Sequence, residues 1–116
     1  MYEAYVARKK DAKVYDIPGG SVCTLYADSP VGNLSCAYVE TDGRYPAEGS
    51  RKNIVCTEAT FVIEGSMEFT LGDEKFLLEA GDVIYVPVNV PYTVVGKGRS
   101  LVFINPKWDS AQNVAV

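Results

Sequence analysis

At 116 residues the chain has room for one domain with a real hydrophobic core, and its composition, 47% apolar and 22% charged, is too apolar for a disordered protein. A formal net charge of −4 argues against non-specific nucleic-acid binding, which needs a basic face to displace counterions. No apolar stretch approaches the ~18 residues that span a bilayer, and Met1-Tyr2-Glu3-Ala4-Tyr5 lacks the basic-then-apolar build of a signal peptide. Cys23, Cys36 and Cys56 form no CxxC pair and leave one thiol over in any disulfide scheme, the pattern of free thiols in a reducing cytoplasm. The expectation is a cytoplasmic protein folded as a single domain over residues 1–116, with no nucleic-acid or membrane partner.

Taken in chain order, Val14-Tyr15-Asp16-Ile17 and Cys23-Thr24-Leu25-Tyr26 predict two edge strands around a Pro18-Gly19-Gly20 turn. Ser35 to Glu40 alternates as a strand and meets a turn signal at Asp42-Gly43. Thr60 to Glu64 and Met67 to Leu71 read as two strands, with Glu64-Gly65-Ser66 as the hairpin turn between them. Glu74 to Leu78 follows the Leu71-Gly72-Asp73 turn, and Asp82 to Val86 follows Ala80-Gly81-Asp82. Pro87 and Pro91 bracket a loop at Val88-Asn89-Val90, because proline cannot donate to a ladder. Tyr92 to Val95 and Ser100 to Ile104 close the pattern, separated by Gly96-Lys97-Gly98. Strands at this rhythm predict an all-β sandwich or barrel. No gap between them is long enough for a crossover helix, which excludes a parallel α/β sheet.

Four residues inside this pattern carry a family resemblance. Glu58 and Gly65, with six residues between them, match the second half of the first cupin motif. Gly81 and Pro87, with five residues between them, match the opening of the second. From Glu58 to about Gly96 the chain therefore resembles the cupin superfamily, with a motif-bearing core over about residues 48–105, which implies a jelly-roll barrel (a double-stranded β-helix) with its pocket at the open mouth. A looser similarity, carried by Glu58, Glu64-Gly65 and Pro106-Lys107-Trp108, is to the cupins of ethanolamine utilisation. The family's metal ligands are two histidines in the first motif and one in the second. With the first-motif spacing set at four residues, those positions hold Arg51 and Asn53; at three residues they hold Lys52 and Ile54. The second-motif position is Tyr92, and the chain has no histidine at all. Neutral imidazole is the donor such sites use, so the expectation is a barrel without metal or other cofactor.

Inward parity from Glu58 places Cys56, Glu58, Thr60 and Val62 on one face of their strand, with Tyr92 and Val94 facing in from another. A carboxylate pointing into a barrel is costly unless it is paired or protonated, so Glu58 is the first candidate catalytic residue, as a base or as half of a salt bridge with Arg51 or Lys52. Tyr92, at a former ligand position, is the candidate acid or a hydroxyl filling the pocket. Arg44, Arg51, Asn53, Cys56 and Tyr85 complete the candidate ligand-binding set, with Arg51 suited to grip a carboxylate or phosphate. Cys56 has no histidine to take its proton, which favours an inert buried thiol. Three functions follow: binding of a small polar or acidic metabolite in the mouth; a metal-independent isomerase, epimerase or lyase with Glu58 as base and Tyr92 as acid; or an accessory barrel without a ligand. Strands apolar on both parities, as in Phe61-Val62-Ile63, further predict a homodimer.

Overall fold

A computed structural model of the chain describes residues 6–28 and 32–116. Among these residues nine strands form one curled sheet with no α-helix: β1 (Lys13–Ile17), β2 (Ser21–Leu25), β3 (Ser35–Tyr45), β4 (Arg51–Asn53), β5 (Thr57–Leu71), β6 (Glu74–Glu79), β7 (Val83–Val86), β8 (Tyr92–Asn105) and β9 (Asn113–Ala115). Every pairing is antiparallel. The order runs β1-β2-β3-β8, and β5 lies on the other side of β8 with β6 and β7 on its own far edge. The two N-terminal strands form as expected around Pro18-Gly19-Gly20, but β2 is interior, paired to both β1 and β3.

Three expected turns are not turns. Asp42-Gly43 lies inside β3, Glu64-Gly65-Ser66 inside β5, and Gly96-Lys97-Gly98 inside β8. The 15 residues of β5 and the 14 of β8 run antiparallel along each other almost from end to end. Their glycines serve close approach of backbones. Gly65 (φ 84°) sits opposite Gly98, where a Cβ would run into the Lys97 carbonyl oxygen. A Cβ on Gly98 would meet the Glu64 carbonyl in return, and Gly43 lies against Gly19 in the same way. Such glycines mark the sharp bends by which a sheet curls into a barrel. Turns do form at Gly72 and Gly81, and Asn89 takes a positive φ of 66° in the Pro87–Pro91 loop.

The bend also changes parity. The register slips between Val62 and Glu64, so one extra residue, Ile63, is inserted into β5. Before it the even residues Glu58, Thr60 and Val62 are buried; after it the odd residues Met67 and Phe69 are. Val62, Met67, Phe69, Leu78, Ile84, Val86, Tyr92 and Val94 form one core cluster. The opposite parity leaves Phe61, Val83, Tyr85 and Phe103 exposed on the outer face.

Gly65→Ala tests the close-approach reading. The substitution combines an unfavourable φ with a backbone clash and is expected to cost at least ~2 kcal/mol in urea unfolding. Gly72→Ala shares the positive φ but has open space around it, so its cost should be clearly smaller. Equal costs at the two positions would contradict the close-approach account.

Candidate functional site

The site is built on the inward parity of β5 and β8. Glu58 lies opposite Val86 on β7 and Ile104 on β8, so its side chain is carried into the barrel and buried. Here it lines a cavity of about 130 Å³ whose polar groups include Tyr45, Tyr92, Cys23 and Thr60 and, further along, the hydroxyls of Ser21, Thr41 and Ser100. Met67, Phe69, Val94 and Ile104 supply apolar wall, and the partly exposed Tyr15 and Trp108 stand at the rim. No lysine or arginine among the described residues lines it. Burial with no cation at hand penalises the charged form, and the Glu58 carboxyl is pushed up to about 7 from 4.5, opposed only by the amide of Asn53. Burial also raises the phenols of Tyr92 and Tyr45 and the thiol of Cys23. The Tyr45 and Tyr92 rings lie 6.0 Å apart and tilted by 36°.

Beside Tyr92 lies a hydrogen-bonded network that ties β4 and β8 to the C-terminal segment. The guanidinium of Arg51 donates to Asn113 twice, Nε to the side-chain oxygen and a terminal nitrogen to the carbonyl oxygen, both at 2.6 Å. Asn113 Nδ2 donates to Asn53 Oδ1 (2.9 Å) and to the Tyr92 hydroxyl (3.3 Å). Gln112 Nε2 donates to the same Asn53 oxygen at 2.8 Å, while Gln112 Oε1 accepts from the backbone amides of Val55 and Cys56. Strand β9 pairs with β4 alongside this network.

The expected site residues therefore separate. Glu58 and Tyr92 line one cavity. Arg51 is turned to Asn113, and Arg44, near the end of β3, donates to the carbonyls of Pro46 and Gly49 in the loop that follows. Asn53, fully buried, sits beside Glu58 but outside the cavity lining. Its burial also fixes the register of β4: Arg51 and Asn53 share the inward parity, and Lys52 does not. Cys56 is buried with its sulfur 3.4 Å from the Pro106 carbonyl oxygen. Tyr85, 68% exposed, points outward from β7. The expected salt bridge from Glu58 to Arg51 is replaced by the Arg51–Asn113 contact. Sequence reasoning missed Cys23 as the thiol that faces the cavity, and it missed Gln112 and Asn113 altogether. Residues 106–116 carry no alternation, and the only signal there was Pro106-Lys107-Trp108, whose tryptophan lies at the rim.

Over residues 48–105, half of the chain, the sequence matches the cupin domain family. The chain is a cupin. Its barrel is similar to that of the nucleoside dehydratase Pac13 from Streptomyces, with a TM-score of 0.85 at 18% identity over 97% of this chain and 90% of that one. It is also similar to KdgF from Halomonas (TM-score 0.73, 19% identity, 90% of this chain and 96% of that one). An RmlC-like cupin from Shewanella frigidimarina gives a TM-score of 0.75 at 18% identity, covering 92% of this chain and 95% of that one. At these identities the likeness is one of fold. No curated protein matches the chain by sequence.

The metal that many cupins hold does not fit the residues of this one. At the ligand positions stand Arg51, which can only donate, Asn53, whose oxygen already accepts two hydrogen bonds, and Tyr92, whose phenol burial keeps protonated. Glu58 is left as a lone carboxyl, and among the described residues no three of His, Cys, Asp and Glu gather. No helix among the described residues is long and apolar enough to cross a membrane.

The raised affinity of Glu58 for its proton has a consequence for stability. The folded carboxyl titrates near 7 and the unfolded one near 4.5, so its stabilising contribution is full below about pH 4.5 and is lost as the pH rises through 7. Glu58→Gln removes this dependence. The variant is expected to match the parent near pH 4.5 and to exceed it at pH 8 by up to about 3 kcal/mol, read as a higher Tm. A variant less stable than the parent at pH 8 would mean that Glu58 is ionised and paired in the native state.

Proposed function

We propose that this cupin takes a small, uncharged, hydroxyl-bearing metabolite into the barrel mouth and transforms it by proton transfer, as a metal-independent lyase or isomerase. The observation that carries the reading is Glu58: a carboxyl on the cavity wall whose pKa of about 7 leaves it divided between base and acid at neutral pH. One such group can serve a whole elimination. As carboxylate it removes a proton from a carbon made acidic by a neighbouring carbonyl. As carboxylic acid it then returns that proton to the departing hydroxyl, which leaves as water and restores the carboxylate. Tyr92 contributes in its neutral form. Burial raises its pKa, so the phenol acts as a fixed hydrogen-bonding group toward a substrate oxygen rather than as the source of the proton.

The cavity supports an uncharged ligand. A phosphate or carboxylate brought into it would meet a glutamate and no lysine or arginine, and would stay desolvated without a counter-charge. Its volume of about 130 Å³ suits a single small ring, with the rest of the molecule at the rim between Tyr15 and Trp108. Fold similarity to Pac13 is in keeping with this. That protein is a nucleoside dehydratase, and variants of it altered at two tyrosines and a histidine have been solved with uridine. Having no histidine, this chain must place its proton transfer on Glu58.

The test is a panel of uncharged nucleosides and keto or aldehydo sugars, each paired with its phosphate ester. Binding is read by calorimetry, and turnover by ultraviolet absorbance of the conjugated product. Uncharged members are expected to bind at least about tenfold more tightly than their phosphates. Glu58→Gln is expected to keep binding within a few-fold and to lower turnover by about 10²–10⁴. Preference for the phosphates would overturn the ligand class. Tight binding without turnover in the parent would leave a binding protein in place of an enzyme.

The homodimer also belongs to this reading. The outward apolar residues Phe61, Val83, Tyr85 and Phe103 share the β7-β5-β8 face, the surface we propose a second copy covers. Light scattering is expected to return twice the chain mass at micromolar concentration, and a monomer mass would contradict it.

A further inference from the structure

Two carboxamides behind the cavity have no freedom in how they are oriented. Arg51 has only donors, and its Nε is 2.6 Å from Asn113 Oδ1, so the oxygen of Asn113 must face the guanidinium and its nitrogen must face Asn53. The backbone amides of Val55 and Cys56 are likewise donors only. They hold Gln112 Oε1 at 3.2 and 3.0 Å, which turns Gln112 Nε2 toward Asn53 as well. Asn53 Oδ1 thus receives two N–H groups, each set by a separate anchor, and a flipped Asn53 amide would face both with its own donors. Its Nδ2 is consequently directed away from β9, on the side where its amide acts on Glu58. Asn53 is completely buried and this nitrogen completes no hydrogen bond. An unused buried donor beside a buried carboxyl is costly to keep for packing alone.

We propose that Asn53 is a positioning residue for Glu58, and that the C-terminal segment acts through Gln112, just before β9, and Asn113, the first residue of β9, to fix the direction in which its amide presents an N–H to the carboxyl. This rests on the reading of Glu58 as the proton-transferring group. A donor aimed at a carboxyl favours the ionised form and opposes desolvation. The other groups around Glu58 do the reverse or nothing. Cys23 from β2, Tyr45 from β3, Tyr92 from β8 and Cys56 just before β5 are all neutral, buried except for the half-buried Tyr45, and destabilised as anions by its charge. Arg51 acts on Tyr45 and directs two of its N–H groups at Asn113. Asn53 is therefore the single side chain among the described residues that holds Glu58 within reach of ionisation at neutral pH, and the C-terminal segment keeps it oriented.

The experiment is a titration of the Glu58 side-chain carbon by NMR in the full chain without ligand, assigned by its loss in Glu58→Gln. Asn53→Asp keeps the oxygen that accepts from Gln112 and Asn113 but replaces the donor facing Glu58 with an acceptor. It is expected to raise the Glu58 midpoint by at least about one pH unit. Gln112→Met, which does not touch Glu58, removes one of the two anchors and is expected to raise it by about half a unit. An unchanged midpoint in folded Asn53→Asp overturns the proposal. A shift there without one in Gln112→Met overturns the part assigned to the C-terminal segment. Should Asn53→Asp fail to fold, Gln112→Met decides, an unchanged midpoint counting against the proposal. Because no substrate is present, these outcomes are independent of turnover. A midpoint that moves in a protein that transforms nothing removes the proton-transfer reading and leaves the positioning of Glu58 standing.

Discussion

Strand β8 is hydrogen-bonded on both flanks for most of its length, to β3 on one side and β5 on the other, and the barrel is arranged around that double pairing. Two strands of this length cannot stay flat and still enclose a core, so the ladder must bend sharply. It bends where Gly65 meets Gly98 and Gly96 meets Met67, at a separation that a side chain on any of these glycines would prevent. The extra residue Ile63 falls at the same place and reverses which parity of β5 points inward. One constraint therefore curls the sheet, splits β5 into two halves of opposite parity, and sends Glu58 from one half and Met67 and Phe69 from the other into the same cavity.

That geometry explains what could be read in the sequence. Alternation located the strands except the three-residue β4 and β9. Counting in twos from Glu58 marked Cys56, Thr60 and Val62 as inward, and Tyr92 and Val94 were marked inward on their own strand after Pro91; all five are buried, because parity is local and is preserved along an unbroken ladder. Glycine signals are ambiguous by nature: the same residue that permits a reverse turn permits close backbone approach. Gly72 and Gly81 proved to be turns; Gly43, Gly65, Gly96 and Gly98 lie within strands. What distinguishes them is the partner across the sheet, such as Gly98 opposite Gly65, and a single strand read alone does not show its partner.

The site divides along the same line. Glu58 and Tyr92 were legible because each sits at a motif position on an alternating strand. The role of Arg51 was not, since its partner Asn113 is 62 residues away in a segment with no periodic pattern. A cation near a candidate pocket invites the reading of an anion grip. Only the hydrogen-bond partners reveal that its Nε and one terminal nitrogen are directed at the oxygen atoms of a single residue.

The exchange of histidines for this amide network alters the chemistry available to the barrel. A metal-holding cupin stabilises negative charge on a substrate with a cation at the centre of the pocket. Here two of the corresponding positions, Asn53 and Tyr92, are neutral, and the third, the Arg51 guanidinium, keeps its charge but lies outside the cavity lining, directed at Asn113. Charge that develops in the cavity must be met by hydrogen bonds alone, which favours reactions in which a proton is moved and little net charge accumulates. Such a reaction needs a carboxyl that can both accept and release a proton near neutral pH. Too dry a surrounding would leave Glu58 permanently protonated, and a close arginine would leave it permanently ionised. A single aimed amide lies between those extremes. It moderates the effect of burial without adding charge, and it does so from a residue whose orientation is set by Gln112 and Asn113 of the C-terminal segment that pairs with β4.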